Sequence, residues 1–293
     1  KRNMAKKNIL NNVILHHLSL QTPNPENLCG FYSDTLGMDT KKISHQGEIK
    51  WMCFGNDRRI IFTNGNKKRL DFAAFSFKDQ TSFKNYKDDL KLNNVEITKY
   101  ETPFFKEGSF SVIDPDENHL VFGIAQIKGF ETLPSSNSSS TIYGPLQHLT
   151  FKSKDVERFE SFYNEKLGFF VSDRVVKDNG DLATSFLTSN HEHHTIACFK
   201  SDIEEIDHHS YETGEWQRIK YWCDRFEKKN IQLKWGPGRH GPGNNLFIFI
   251  EDPDNNWIEI SAELETIHDR DVKIWKHEPK TLNLWGPHSI MRS

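Results

Sequence analysis

A carboxylate sits at the centre of an apolar strand near the end of the chain. In DPDNNWIEISA, Asp252–Asn256 reads as a turn and Trp257–Ala262 as a strand, with Glu259 between Ile258 and Ile260. At a sheet edge such an acid simply faces water. On a buried face an unpaired carboxylate costs several kcal/mol and needs a positive partner. Two histidines upstream, His148 in LQHLTF and His209 in IDHHSY, also lie on strand-like stretches. Two imidazoles and a carboxylate from three strands form the ligand set of a facial triad, which leaves one face of a divalent metal open to substrate and oxygen. A polar cup of the same residues without a metal is the alternative.

What would make those three strands neighbours is a repeat. LHHLSLQTPNPENLCGFYSDTLGMD (residues 15–39) parallels LQHLTFKSKDVERFESFYNEKLGFF (residues 146–170). His17 falls on His148, Phe31-Tyr32 on Phe162-Tyr163, and Leu36-Gly37 on Leu167-Gly168. Each copy predicts a strand, a helix carrying the Phe-Tyr pair on its apolar face, and a Leu-Gly helix end. RLDFAAFSF (residues 69–77) then parallels EIDHHSYET (residues 205–213), each followed by a helical stretch, and DPDENHLVFGIA (residues 114–125) parallels DPDNNWIEISAE (residues 252–263). The chain is thus a duplication of α+β units, with one domain over 8–129 and another over 143–265, followed by a tail over 266–293. ETLPSSNSSST (residues 131–141) reads as the linker between them.

The copies differ where chemistry would sit. The first keeps His17 at the position of His148 but has Ala73 for His209 and Val121 for Glu259. A structural role shared by both copies would not split this way; a site built in the second copy alone would.

Composition narrows the partners. The formal net charge of -3 offers no basic patch, so nucleic acid is not expected. Neither an apolar run long enough to span a membrane nor a signal peptide after the polar stretch Lys1–Asn12 is expected. Cys29, Cys53, Cys198 and Cys223 are widely spaced and form no CxxC, which suits a reduced, cytoplasmic protein.

The paired units, the QHLTF strand, IDHH, GPGRHG, DPDNNWIEI and the LNLWGP tail resemble the type I extradiol ring-cleaving dioxygenases of the vicinal oxygen chelate superfamily. The resemblance runs over nearly the whole chain. It implies tandem βαβββ modules, two per domain, each domain an open barrel of mixed sheet, with Fe(II), or alternatively Mn(II), bound in the C-terminal barrel by His148, His209 and Glu259. It further implies that His194, three residues before Ala197, is the acid–base histidine, with His193 as the fallback if the strand register slips by one. His240 in GPGRHG matches a second active-site histidine. The substrate would be a small aromatic vicinal diol together with O2, and the protein a homo-oligomer. One residue departs from the pattern: ten positions before the glutamate, where the family usually places a tyrosine that hydrogen-bonds the substrate, stands Phe249. Tyr211 or Tyr143 is the expected substitute donor.

Other stretches carry less. His16 and His17 read as core or interface histidines, and His191 as exposed at a turn. Trp257 shares a strand face with Glu259 and is expected in the pocket wall. Trp275 and Trp285 place the tail either over the mouth as a lid or flat on its own domain. Since this superfamily hosts several reactions, a metal-dependent lyase, isomerase or hydrolase that consumes no O2 is the competing enzyme reading. A binding protein that has lost catalysis is a third.

Overall fold

The computed structural model describes residues 10, 12–126 and 144–286; the expected linker, Tyr143 and the end of the LNLWGP tail lie outside the described residues. The first half runs β1 (Ile14–Thr22), α1 (Pro25–Leu36), β2 (Asp39–His45), β3 (Glu48–Gly55), β4 (Arg58–Asn64), β5 (Arg69–Phe77), α2 (Gln80–Leu92), β6 (Thr98–Lys99), β7 (Phe110–Ile113) and β8 (His119–Ile124). The second repeats the order: β9 (Leu146–Ser153), α3 (Val156–Ser161), β10 (Phe170–Val176), β11 (Leu182–Thr188), β12 (Ile196–Lys200), β13 (Glu205–Gly214), α4 (Trp216–Lys228), β14 (Trp235–Arg239), β15 (Leu246–Glu251) and β16 (Trp257–Ala262). The tail adds β17 (Lys273–Lys276) and a single turn, α5 (Pro279–Leu282). Two βαβββ modules therefore build each half, as the vicinal oxygen chelate fold requires.

Local sequence explains the helix ends. Asp79 and Asp155 accept from the backbone N–H of Ser82 and Arg158, capping α2 and α3. Gly37 ends α1 in the left-handed conformation, its N–H bonded to Ser33 O. In the second copy the Phe-Tyr pair sits in a π-helical turn, Phe162–Lys166, that extends α3. Tyr32 and Tyr163 are nonetheless equally buried and play reciprocal roles. Tyr32 OH donates to Asp252 in the second half, and Tyr163 OH donates to Asp114 in the first. Those two aspartates open the two DPD turns, so the repeated motifs clasp each other across the molecule.

Each sheet is mixed. In the first, the order is β2-β3-β4-β1-β5-β8-β7-β6; in the second, β14-β15-β16-β13-β9-β12-β11-β10-β17. The antiparallel pairs β1/β5 and β9/β13 join the two modules of each half. β17 lies parallel to β10, so this part of the tail extends the second sheet. One continuous apolar core, including Leu18, Phe62 and Phe75 from the first half and Phe151, Tyr163 and Ile260 from the second, fills the space behind both sheets.

The inner face of the first sheet is closed. His17, Phe72 and Val121 take the places that would correspond to a site, and Phe104 and Phe105 pack over them. His17 Nε2 lies 2.7 Å from Thr102 Oγ1, and His16 and His17 share a hydrogen bond through their Nδ1 atoms at 2.8 Å. Burial pushes both imidazoles well below their ordinary pKa, so both are neutral core groups, as the sequence suggests.

Candidate metal centre and substrate cavity

Strand register decides which side chains meet. Ser210 on β13 stands opposite His148 on β9 and opposite Glu259 on β16, while His208 stands opposite Thr150. Side chains alternate across a strand, so His208 and Ser210 share the face of His148 and Glu259, and His209 points the other way. The geometry follows: His148 Nε2 lies 2.8 Å and His208 Nε2 3.4 Å from Glu259 Oε2, all three residues being buried. The ligand-type atoms of His148, His208 and Glu259 lie within 4.8 Å of one another.

The structure therefore corrects one expected ligand. His209 is in the core behind the sheet, its Nε2 3.1 Å from Tyr32 OH and its ring packed against Tyr211. Burial, followed by the neighbouring His208 and His148, lowers its pKa to about 3. Tyr211 moves with it: fully buried on the core face, it does not line the cavity and cannot replace the donor absent at position 249.

The three inward donors fit a metal. Ligands about 2.1 Å from one ion and at right angles to each other stand roughly 3 Å apart, and the two contacts to Glu259 bracket that spacing. The atoms behind the donors are arranged to hold them. His208 Nδ1 lies 2.6 Å from Asp207 Oδ2, and Asn245 Nδ2 donates to Glu259 Oε1 at 3.0 Å and to Ser261 Oγ at 3.0 Å. Burial alone would raise the pKa of Glu259, but His148 and His208 hold it below the ordinary range. Burial likewise disfavours a charged His208, yet Asp207 and Glu259 raise it to about 9. A carboxylate this buried, facing imidazoles through their Nε2 atoms, is a site for a cation.

A cavity of about 270 Å³ opens over this centre. His194, His240, Phe249 and Trp257 line it, together with Phe186, Trp235 and Leu282. The His194 ring centroid lies 4.2 Å from that of His148. The His240 ring stacks on Phe247 at 3.9 Å, and its Nδ1 donates to Leu282 O at 2.5 Å. Burial lowers the pKa of His240 to about 4, so the ring is neutral. Because a carbonyl only accepts, that neutral ring turns an unprotonated Nε2 toward Glu259, 3.8 Å from Oε1. The glycines of GPGRHG permit this packing: a Cβ on Gly238 would lie 2.4 Å from the Phe247 ring, and one on Gly241 2.7 Å from Thr281 O. From the tail, Thr281 and Leu282 line the cavity, whereas Trp275 reaches back to Asp173 and Trp285 packs on Trp216.

His193 is not a cavity residue. Fully buried, it stands behind His194, Nδ1 to Nδ1 at 2.9 Å. Beside it, Glu192 Oε1 accepts from Gln147 Nε2, and burial raises the carboxyl's pKa to about 7. The folded protein thus keeps a proton that the unfolded chain releases near pH 4.5, so this group's stability is present at low pH and lost as pH rises toward 7. Glu192→Gln should flatten that slope and gain on the order of 1–3 kcal/mol at pH 8, measured by urea unfolding at pH 5 and pH 8.

Phe249 pairs directly with Glu259 across β15/β16, its ring centroid 5.1 Å from that of His208 and 5.4 Å from that of Trp257. A hydroxyl added there would enter the cavity beside His208 and Glu259. Phe249→Tyr is expected to raise kcat/KM for a vicinal diol about 5- to 100-fold, the equivalent of one well-placed hydrogen bond. Steady-state kinetics on the two proteins decide it.

The chain is similar to several known proteins. Residues 146–260 match the Glyoxalase/Bleomycin resistance protein/Dioxygenase superfamily. The chain is 25% identical to metapyrocatechase 2 of Cupriavidus necator over 276 residues, covering 86% of this chain and 82% of that one. It is 21% identical to a manganese-dependent 2,3-dihydroxybiphenyl 1,2-dioxygenase of Geobacillus genomosp. 3, covering 92% and 93%. Among solved structures, homoprotocatechuate 2,3-dioxygenase of Brevibacterium fuscum superposes with a TM-score of 0.77 at 22% identity, covering 94% of this chain and 89% of that one. These superpositions establish the shared fold.

Proposed function

We propose that this chain, which belongs to the glyoxalase/bleomycin resistance protein/dioxygenase superfamily and within it to the type I extradiol dioxygenases, opens the ring of a catechol-type substrate with O2 beside, rather than between, its two oxygens. The observation that carries this reading is the convergence of His148, His208 and Glu259 at the base of an aromatic-lined cavity, with two neutral histidines facing the same space.

His148, His208 and Glu259 would hold Fe(II), with Mn(II) as the alternative; both accept two imidazoles and a carboxylate, and one relative is manganese-dependent. The bound metal supplies Lewis acidity toward the diol oxygens and the electron chemistry of oxygen activation. The chain's own residues do the rest. Phe186, Trp235, Phe249 and Trp257 give the walls an apolar, planar character suited to one substituted aromatic ring, and they exclude water from it. His194 accepts a substrate hydroxyl proton and returns it as the ring opens; His240, through Nε2, accepts a hydrogen bond from the bound diol. The cytoplasm is the compartment we propose, a setting that four unpaired cysteines favour. No described helix is long and apolar enough to cross a membrane.

Phe249 favours a second reading, a lyase, isomerase or hydrolase on the same scaffold, because a hydroxyl useful to ring cleavage is absent there. Oxygen consumption separates the two. Protein purified without air and assayed for bound metal is mixed with a panel of catechols while dissolved oxygen and visible absorbance are followed. Stoichiometric oxygen uptake with a new yellow product is the expected result; metal bound with no uptake on any diol would favour the non-oxidative reaction.

A further inference from the structure

Two of the four cysteines face each other in the first half of the chain. Cys29 stands on α1 and Cys53 on β3, and their sulfurs lie 3.0 Å apart. Each thiol also reaches backbone beside the other: Cys29 Sγ lies 3.8 Å from Met52 O, and Cys53 Sγ 3.6 Å from Cys29 O. Neither residue lines the cavity over His148, His208 and Glu259.

We propose that Cys29 and Cys53 are a reversible redox pair: Cys29 meets a peroxide first, and Cys53 then closes on it as a disulfide. The proposal is independent of the reaction assigned to the cavity over the metal centre.

Access divides the two roles. Cys29 keeps an edge on a second cavity, of about 720 Å³, that opens beside α1 with Trp51 in the same wall. Cys53 is fully buried and has no such edge. A small peroxide therefore reaches Cys29 and not Cys53. Ionisation follows the same order. A hydrogen bond from Cys53 favours the Cys29 thiolate and holds that thiol below its ordinary pKa, although burial and Glu26 oppose it. Burial, followed by the hydrogen bond to Cys29, pushes the Cys53 thiol well above its own. Since the thiolate is the nucleophile, Cys29 is the more reactive of the pair. Burial also raises the thiols of Cys198 and Cys223, so neither competes with Cys29.

The chemistry balances in two steps. The Cys29 thiolate attacks one oxygen of hydrogen peroxide, the O–O bond breaks, and Cys29 becomes a sulfenic acid while the released hydroxide takes up a proton as water. The Cys53 sulfur then attacks the Cys29 sulfur, the S–O bond breaks, and the leaving hydroxide carries off the Cys53 proton as a second water. The two thiols together give up two electrons, and the peroxide is reduced by them. A disulfide places its sulfurs about 2.05 Å apart, so the pair must close by only about 1 Å. That short approach favours Cys53 over a second peroxide, which would carry Cys29 on to the irreversible sulfinic acid. A small thiol reopens the bond by exchange. Transient, redox-sensing disulfides of this kind are the ones a reducing compartment allows. The bond would also tie a brace to β3, because Tyr32, the next turn of α1, reaches His209 and Asp252 through its hydroxyl.

The test treats the full chain, kept free of iron and supplied with Mn(II), with a small excess of hydrogen peroxide. The protein is then denatured, alkylated and digested, and its cysteine peptides are weighed. Wild type is expected to give two peptides joined through Cys29 and Cys53, about 2 Da lighter than the reduced pair, with Cys198 and Cys223 still alkylated. Dithiothreitol should return all four thiols. Cys53→Ser removes the second step, so Cys29 should remain a sulfenic acid that dimedone captures and then pass to a sulfinic acid that dithiothreitol does not restore. Cys29→Ser should leave Cys53 alkylatable at the same dose, its oxidation at least about 10-fold slower than closure of the wild-type pair. Should either variant not fold, the wild-type linkage and its return with dithiothreitol carry the test. Four alkylated thiols in treated wild type, an unlinked sulfinic Cys29, or Cys223 oxidised ahead of Cys29 overturns the proposal. So does Cys53 reacting in Cys29→Ser as fast as the wild-type pair closes.

Discussion

His208→Ala is expected to purify with bound metal near zero and to lose roughly 10³-fold or more of turnover, while His209→Gln binds metal at the wild-type level. Both histidines are buried neighbours on one strand, and alternation sends them to opposite faces. Removing His208 leaves His148 and Glu259 as a two-ligand remnant and takes away several kcal/mol of charge stabilisation supplied through the ion. Removing the His209 ring breaks its contact with Tyr32 OH and opens space against Tyr211, a fault of packing and one hydrogen bond. That should cost about 1–3 kcal/mol and lower Tm by a few degrees. Metal analysis and thermal melts on the two variants separate the faces. Metal lost from His209→Gln with His208→Ala still loaded would restore the sequence-based ligand set and refute the register described above.

The same pair of residues marks where the sequence ceased to be legible. The repeat located all three strands, and Glu259 was found because an acid between two isoleucines needs an explanation. Laying EIDHHSYET on RLDFAAFSF also aligned the copies correctly, since Ser210 and Ala74 both stand opposite the inward histidines of β9 and β1. What misled was the choice of Ala73 as the informative difference. Ala73 is core, and the inward-facing change is from Phe72 to His208. Thr150 shares the inner face with His148, two residues away, but which β13 residue it faces depends on register, and a bulge between Ile206 and His208 shifts that register by one. Asn245 and Asp207 escaped for a different reason. Their roles depend on contacts between strands distant in sequence, and a single polar residue on a strand carries no periodic signal. The tail was legible only as a tail; its pairing with β10 and its donors to Asp173 required coordinates.

His194→Asn is expected to retain its metal and lose about 10²–10⁴-fold in kcat, with KM for the diol changed by no more than a few-fold. Although its ring centroid lies 4.2 Å from that of His148, His194 is not among the three convergent donors, so stoichiometry should hold. The loss falls on kcat because proton transfer occurs in the transition state, whereas the ring is held in the ground state mainly by the aromatic walls. Asparagine keeps a polar side chain of smaller size and can hydrogen-bond, but it cannot take up a proton. A purely steric or hydrogen-bonding role would therefore leave most of the activity in His194→Asn, and a proton-transfer role would not. His240 provides the internal control. Its Nδ1–H is committed to Leu282 O and its Nε2 can only accept, so His240→Asn should act mainly on KM. If the two variants proved kinetically alike, neither histidine could be assigned the proton, and the chemistry would pass to a group outside the cavity walls described here.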